Sequence, residues 1–414
     1  MESDKEFSKI SIVETIFIIL SITFFIRASN NMMMTSVPLL ARYDFNFTQE
    51  EVGIIAALSS FSTFLTTALL NTRLSSGSRR VAFIVSNVIY VLVFVGFFES
   101  TYITVWLLAA VAGAVLGLMM PNVVTAAGLF KNAAVRERVL SLYTVALSLS
   151  LVAGPAVESD LLKYYPLRTV FLMFTAFAVV SALLSPLIRF PQENKVRIRT
   201  KVFSNYGFRS ALLNIMAYNV PFSLLVAFAG IYEKDTFGIS LSTVTLLFSF
   251  FFVASFGSRL FLSFKPPRNI RLQMTVSMIL SIAGILIMVL STNLYMFIAA
   301  LLILGVPHGL TYPLSVLSIT RSFDPKFRNM ANSYFFSVMM MIGVILPFVG
   351  GTLIDLYGFR LTFFGIMFLI VLLMILLAMN FRAEIRSMGD HLPSDSSSWW
   401  LNRSECIISL FRGS

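Results

Sequence analysis

The sequence predicts an all-α polytopic membrane protein, with twelve transmembrane helices arranged as two pseudo-symmetric six-helix bundles. Three observations carry that reading. The 414 residues are 57% hydrophobic and 12% charged, with 41 Phe and a mean hydropathy of +0.85, too little polar material to cover a soluble globule of this size. Apolar runs long enough to cross roughly 30 Å of hydrocarbon, about 20 residues each, recur along the chain. The second half also repeats the first at a fixed offset of 192 residues.

The first run, 10–40, follows Lys5 and Lys9 and resembles a secretory signal, but it continues past Arg27 without a small-residue cleavage site and reads as a retained span. A capping box, Thr48-Gln-Glu-Glu51, opens the second span, 48–71. Asn46-Phe-Thr48 also fits a glycosylation acceptor, although the cap already explains the hydroxyl. Spans 81–99, 102–130, 138–160 and 167–190 complete the first half. A basic, Pro-containing stretch from Arg189 to Lys201 is the longest interior linker. Beyond it lie spans 208–232, 240–263, 271–291, 294–320, 329–355 and 360–381. The chain thus divides into an N-terminal bundle (1–190), a cytoplasmic linker (191–207), a C-terminal bundle (208–381) and a cytoplasmic tail (382–414). In the tail, Ser394-Asp-Ser-Ser-Ser398 reads as a flexible linker. Trp399-Trp400-Leu401 and Ile407-Ile408-Ser-Leu410-Phe411 fit either an interfacial helix or a disordered tail.

The 192-residue offset aligns the halves without gaps. It pairs Gly117 with Gly309, Pro121 with Pro313, Arg136 with Arg328, Pro155 with Pro347, Tyr165 with Tyr357, and Arg168 with Arg360. Apolar matches come easily in such a composition; coincident Pro, Gly and Arg positions do not. The offset also pairs Thr48 with Ser240 at the start of the second span of each half. A six-plus-six repeat places a solute site near mid-membrane, between two halves that rock about it.

The net charge of +11 resides in short loops. Of the 31 Lys and Arg, 25 lie in alternate segments that include both termini, five lie on the other side, and Arg27 is inside a span. That bias puts both termini in the cytoplasm of a cell-membrane protein and leaves no case for nucleic acid. A single Cys, Cys406, excludes an intrachain disulfide, and two separated His residues make no metal site. No cofactor is implied. No nucleophile–base pair or phosphate loop argues for an enzyme.

Several stretches together resemble the major facilitator superfamily over roughly residues 10–381. The opening reads Phe25-Ile-Arg27, then Pro38-Leu39-Leu40, then Thr48-Gln-Glu-Glu-Val52-Gly53. Thr72-Arg-Leu-Ser-Ser-Gly-Ser-Arg-Arg80 is similar to the signature Gly-x-Leu-x-Asp-Arg-x-Gly-Arg-Arg between the family's second and third helices, with Ser76 in place of the Asp and one residue fewer; Ser258-Arg259-Leu260 echoes it. Gly154-Pro155 is similar to the Gly-Pro signature of the antiporter branch, but Glu158-Ser159 replace the Gly-Gly that should follow, while Pro347 and Gly350-Gly351 keep that pair. The Arg that many members carry in the fourth helix is missing.

The resemblance implies that spans one, four, seven and ten line a central cavity. Their midpoints fall near Arg27, Leu116, Asn219 and His308, and Arg27 and Asn219 are 192 residues apart. Helical spacing groups Arg27 with Asn30, Asn31, Met34 and Pro38, Asn219 with Ser223, and His308 with Thr311 and Tyr312. These are the candidate substrate-binding residues. Arg27 is a permanent cation at depth with no carboxylate comparably deep, so it reads either as the counter-charge for an anionic solute or as a packing residue bonded to helix carbonyls. His308 is the candidate for proton coupling, or a satisfied core imidazole. The Asn residues read equally as interhelical hydrogen-bond groups. Arg73, Arg79 and Arg80 are topology determinants and candidates for a cytoplasmic gate. The expected function is a monomeric secondary transporter of a small organic solute, with an anion favoured. Efflux of amphipathic compounds is the alternative within transport, and a non-transporting sensor or scaffold the alternative outside it.

Overall fold

The computed structural model describes residues 9–127, 133–188, 190, 201–265 and 267–389, and among these it contains helices and no strand. The first half holds α1 (Lys9–Asp44), α2 (Gln49–Leu65), α3 (Ser76–Phe98), α4 (Thr104–Ala127), α5 (Ala133–Leu161) and α6 (Leu167–Leu184). A π turn, Thr66–Leu70, and a 3-10 turn, Asn71–Arg73, prolong α2. The second half begins with α7, which runs Tyr206–Leu224, passes through a π turn at Leu225–Ala229 and continues as Gly230–Phe237. Then follow α8 (Leu241–Phe264), α9 (Ile270–Leu290) and α10 (Leu294–Ser322).

The last helical stretch, Pro325–Gly389, contains an apolar segment of 58 residues, Met330–Ser387. At 1.5 Å per residue that is about 87 Å, far more than one crossing requires. Gly358, at φ 78° and ψ 163°, breaks the helix there. This backbone conformation suits glycine. We therefore number α11 as 325–357 and α12 as 359–389. Residues 356–359 were expected as a loop, and the final helix runs eight residues beyond the expected end at 381. Residues 191–200 of the expected linker (191–207), and residues 390–414 of the expected tail (382–414) with its Trp and Ile clusters, lie outside the described residues.

Caps form where the sequence places them. The Thr48 hydroxyl accepts the Glu51 amide at 3.1 Å, and the Glu51 carboxylate accepts the Thr48 amide at 2.9 Å. Ser240 caps α8 in the same way, accepting from the Thr243 amide.

The duplication persists as packing. Gly113 and Gly117 let α4 cross α2 so closely that a Cβ at either would strike α2, and Gly305 and Gly309 do the same for α10 against α8. Small residues at such spacing allow helices to approach without a hydrophobic driving force between them. Thr63 and Thr67 reinforce the first crossing by donating to the Gly113 and Gly117 carbonyls at 2.9 and 2.8 Å. Arg168 donates to the Ser100 carbonyl and Arg360 to the Ser291 carbonyl, so the repeated arginines do equivalent work in each half.

Two seams join the halves, α5 against α8 and α11 against α2. The hydrogen bonds described between the halves lie between the middle of the bundle and the end bearing the α1–α2 loop, here the loop-1 end. Tyr43 donates to Asp235, 192 residues away, at 2.8 Å; the Gln49 and Glu50 amides donate to Asp355; and Ser159 and Ser242 exchange hydroxyl-to-carbonyl bonds at 2.7 Å. The loop-1 end is closed.

Candidate functional site

A cavity lies between α1, α2, α3, α4, α7 and α11, beneath the closed end. Met33, Met34, Pro38, Phe97 and Phe222 form its apolar wall, and Asn30 and Ser223 contribute polar atoms. Asn30 stands one turn from Arg27, and Ser223 one turn from Asn219, whose carbonyl its hydroxyl engages at 2.7 Å. The cavity therefore adjoins the layer in which the sequence places its deep polar residues.

That layer has a defined arrangement. The His308 ring sits among Tyr218, Phe222, Phe251 and Phe252, with centroids 4.6 to 5.5 Å away, and its Nδ1 is 2.7 Å from the Ser255 hydroxyl. Tyr312 packs against Phe335 and Phe336. Arg27 is partly buried and, among the described residues, forms no hydrogen bond or ion pair. A second interior cation, Arg259 of α8, lies within electrostatic range of Arg27, Tyr218, His308 and Tyr312. It reaches across to the Ser148 hydroxyl of α5 at 3.4 Å, while its buried Nε has no partner. Two like charges brought together inside an apolar bundle are unfavourable unless an anion joins them.

The other expected residues divide. Asn219 and Tyr312 are half-buried at this level. Asn31 is buried, and its side-chain nitrogen lacks a partner. Thr311 turns away from the cavity: it is 1% exposed, donates to the Pro307 carbonyl and meets Ser277 of α9. Helical spacing put it beside His308 and Tyr312 but does not say which face meets a neighbouring helix. Arg80 donates to the Pro186 carbonyl within its own half, Arg79 is buried and Arg73 is exposed.

Sequence reasoning missed three residues. Arg259 was counted among loop cations because it lies near the end of its span, and the weak motif echo at Ser258-Arg259-Leu260 was the available signal. Glu158 and Glu233 lie near helix ends, yet both are fully buried. Glu158 is covered by α1, whose Thr35 and Ser36 hydroxyls it meets, and linear position does not reveal that packing.

The sequence profile of the Major Facilitator Superfamily matches residues 19–272 and 210–399. The fold is similar to that of a bacterial homologue of the human lysosomal transporter Spinster in an inward-facing, occupied conformation. That likeness has a TM-score of 0.70 at 13% identity and covers 90% of this chain and 97% of that one. The nucleoside transporter NupG, in a mutant form, is similar with a TM-score of 0.68 at 11% identity, covering 89% of this chain and all of that one. No curated protein sequence matches significantly. With the profile spanning both halves and the packing repeating between them, this multi-pass membrane protein belongs to the major facilitator superfamily of transporters.

Proposed function

We propose that the protein is a secondary transporter that moves a small organic anion by alternating access, with Arg27 and Arg259 as paired cations of the binding site. One observation carries this reading: two interior guanidinium groups, one from each half, lie within electrostatic range of each other, and among the described residues no carboxylate reaches either. An anion held between them belongs to both halves at once, so its binding favours their closure around it. Asn30, Asn219, Ser223, His308 and Tyr312 supply amide, hydroxyl and imidazole groups for its remaining atoms. The Lys and Arg bias makes the closed loop-1 end the outer one, at the cell membrane, and the conformation one that opens to the cytoplasm. Arg73, Arg79 and Arg80 then stand at the open side, where a cytoplasmic gate would close. The Met- and Phe-lined cavity supports the second reading, efflux of amphipathic compounds.

Thermal shift of the purified protein separates the two, because a ligand of the folded state stabilises it according to its affinity. Phosphate, succinate and hexose phosphate are expected to stabilise the wild type, and glucose and tetraphenylphosphonium not to. Arg27→Gln and Arg259→Gln should each weaken anion binding at least ~10-fold, about 1.4 kcal/mol. Arg27→Lys should retain part of it and some anion uptake, since it keeps the charge but not the fork. Stabilisation by the hydrophobic cation alone selects efflux. Equal anion binding by all variants returns the arginines to packing.

A further inference from the structure

The last turns of α12, beyond residue 381, carry charge on a face that is apolar and exposed up to that point. Ile375 and Met379 are 50% and 58% exposed. Arg382 and Arg386, both exposed, continue the same face at three- and four-residue spacing. α9 packs beside α12 and has its own exposed aliphatic face in Leu272, Val276 and Ile279, with the exposed Arg268 just before its first residue, Ile270. Arg271 ties the two helices together at this end. Its Nη2 is 3.0 Å from Glu384 Oε2, and its guanidinium lies 5.5 Å from the centroid of the Phe381 ring.

That ion pair leaves three cations over. Glu384 is the one acidic residue in 265–271 and 382–389, and Arg271 neutralises it. Among the described residues, no hydrogen bond or ion pair engages Arg268, Arg382 or Arg386. Arginines at other helix ends are held: Arg42, Arg80, Arg209, Arg321 and Arg360 each donate to a carbonyl of the chain. Arg382 and Arg386, one helical turn apart, repel each other until an anion joins them. The repeat does not explain them either. The 192-residue offset puts Ser76, Phe190 and Asn194 at the positions of Arg268, Arg382 and Arg386.

We propose that the α9–α12 pair binds an anionic phospholipid at the end opposite loop 1, with the phosphate on Arg382 and Arg386 and the acyl chains along the aliphatic faces below. Two guanidinium forks one turn apart match the oxygens of a phosphodiester, and Arg268 adds attraction from the start of α9. Arg271 already holds Glu384, so no free carboxylate repels the headgroup. The aliphatic residues distinguish a lipid from a free anion: Met379 lies one turn before Arg382, and Leu272 follows Arg271. On the orientation given by the Lys and Arg bias, the lipid comes from the cytoplasmic leaflet.

Native mass spectrometry of the full chain in detergent tests this without any transported solute. With phosphatidylglycerol and phosphatidylcholine added in equal amounts, the wild type should retain phosphatidylglycerol at least ~10-fold more, on the scale expected of two surface arginines. The double variant Arg382→Gln, Arg386→Gln, altered at exposed positions, should retain the two lipids equally. Lys201→Gln removes an exposed cation elsewhere at the same end and should keep the preference. Equal retention of both lipids by the wild type overturns the proposal, as does an unchanged preference in the double variant. An equal loss in Lys201→Gln would make the attraction diffuse and not a site. Displacement of the lipid by an equal concentration of glycerol phosphate would make it a site for free anions.

Discussion

The α5–α8 and α11–α2 seams occupy equivalent places in the repeat and close the same end of the bundle, yet they are built differently. The 192-residue offset equates Glu158 and Ser159 with Gly350 and Gly351, and Ser242 with Glu50. At α11–α2 the contact is backbone on backbone. A Cβ at Gly53 would strike the Pro347 carbonyl, and one at Gly351 the Gln49 carbonyl. Asp355 then accepts both the Gln49 and Glu50 amides at the start of α2. At α5–α8 the same positions carry side chains, a hydroxyl clasp and a buried acid. The first seam is held by backbone contact and the Asp355 carboxylate, the second by side-chain hydrogen bonds.

Substitutions at the two seams put this contrast to the test. The largest effect is expected from Gly53→Ala, which should destabilise the closed form by about 1–3 kcal/mol through overpacking against backbone that has no rotamer to yield. Double electron–electron resonance distances between spin labels at Tyr164→Cys and Thr236→Cys, both exposed at the loop-1 end, should then shift to the open population. A closed population that survives means that backbone contact does not hold α11–α2. Ser159→Ala removes one of the two reciprocal bonds with Ser242, about 1 kcal/mol, and should move the same population about five-fold; an unmoved population means that the hydroxyl clasp does not hold α5–α8. Asp355→Asn should matter least: at this exposed helix start one oxygen remains to accept from the α2 amides, while the second acceptor and the charge are lost; about 0.5–1 kcal/mol, read as a change of about two- to five-fold.

Much of the fold was legible in the sequence because its determinants are local or periodic. Hydropathy marks the spans, Thr48 and Glu51 mark a helix start, and the offset of Pro, Gly and Arg marks the duplication. The crossings at Gly113 and Gly305 follow from the same repeat. The site was legible only in part. Arg27 stands out because a cation within an apolar run needs a reason wherever the helix packs. Arg259 does not, because a cation near a span end is ordinarily a topology marker, and only the fold brings it inward. Glu158 and Glu233 depend still more on tertiary structure: both are buried near helix ends, Glu158 by its packing against α1. Thr311 shows the converse, since its helical neighbours are those expected but its face belongs to α9.

The Tyr43–Asp235 bond joins two residues that are each other's counterparts in the repeat. The pseudo-two-fold axis therefore passes between them. In a symmetric pair of identical six-helix subunits, a residue on that axis meets its own copy, tyrosine against tyrosine or aspartate against aspartate, and a phenol can never face a carboxylate there. Fusing the two copies into one chain lifts that restriction, because each position can then change alone. The same freedom lets Arg27 differ from its counterpart Asn219, so a cation in one half alone is open to this fused chain and closed to a homodimer of either half.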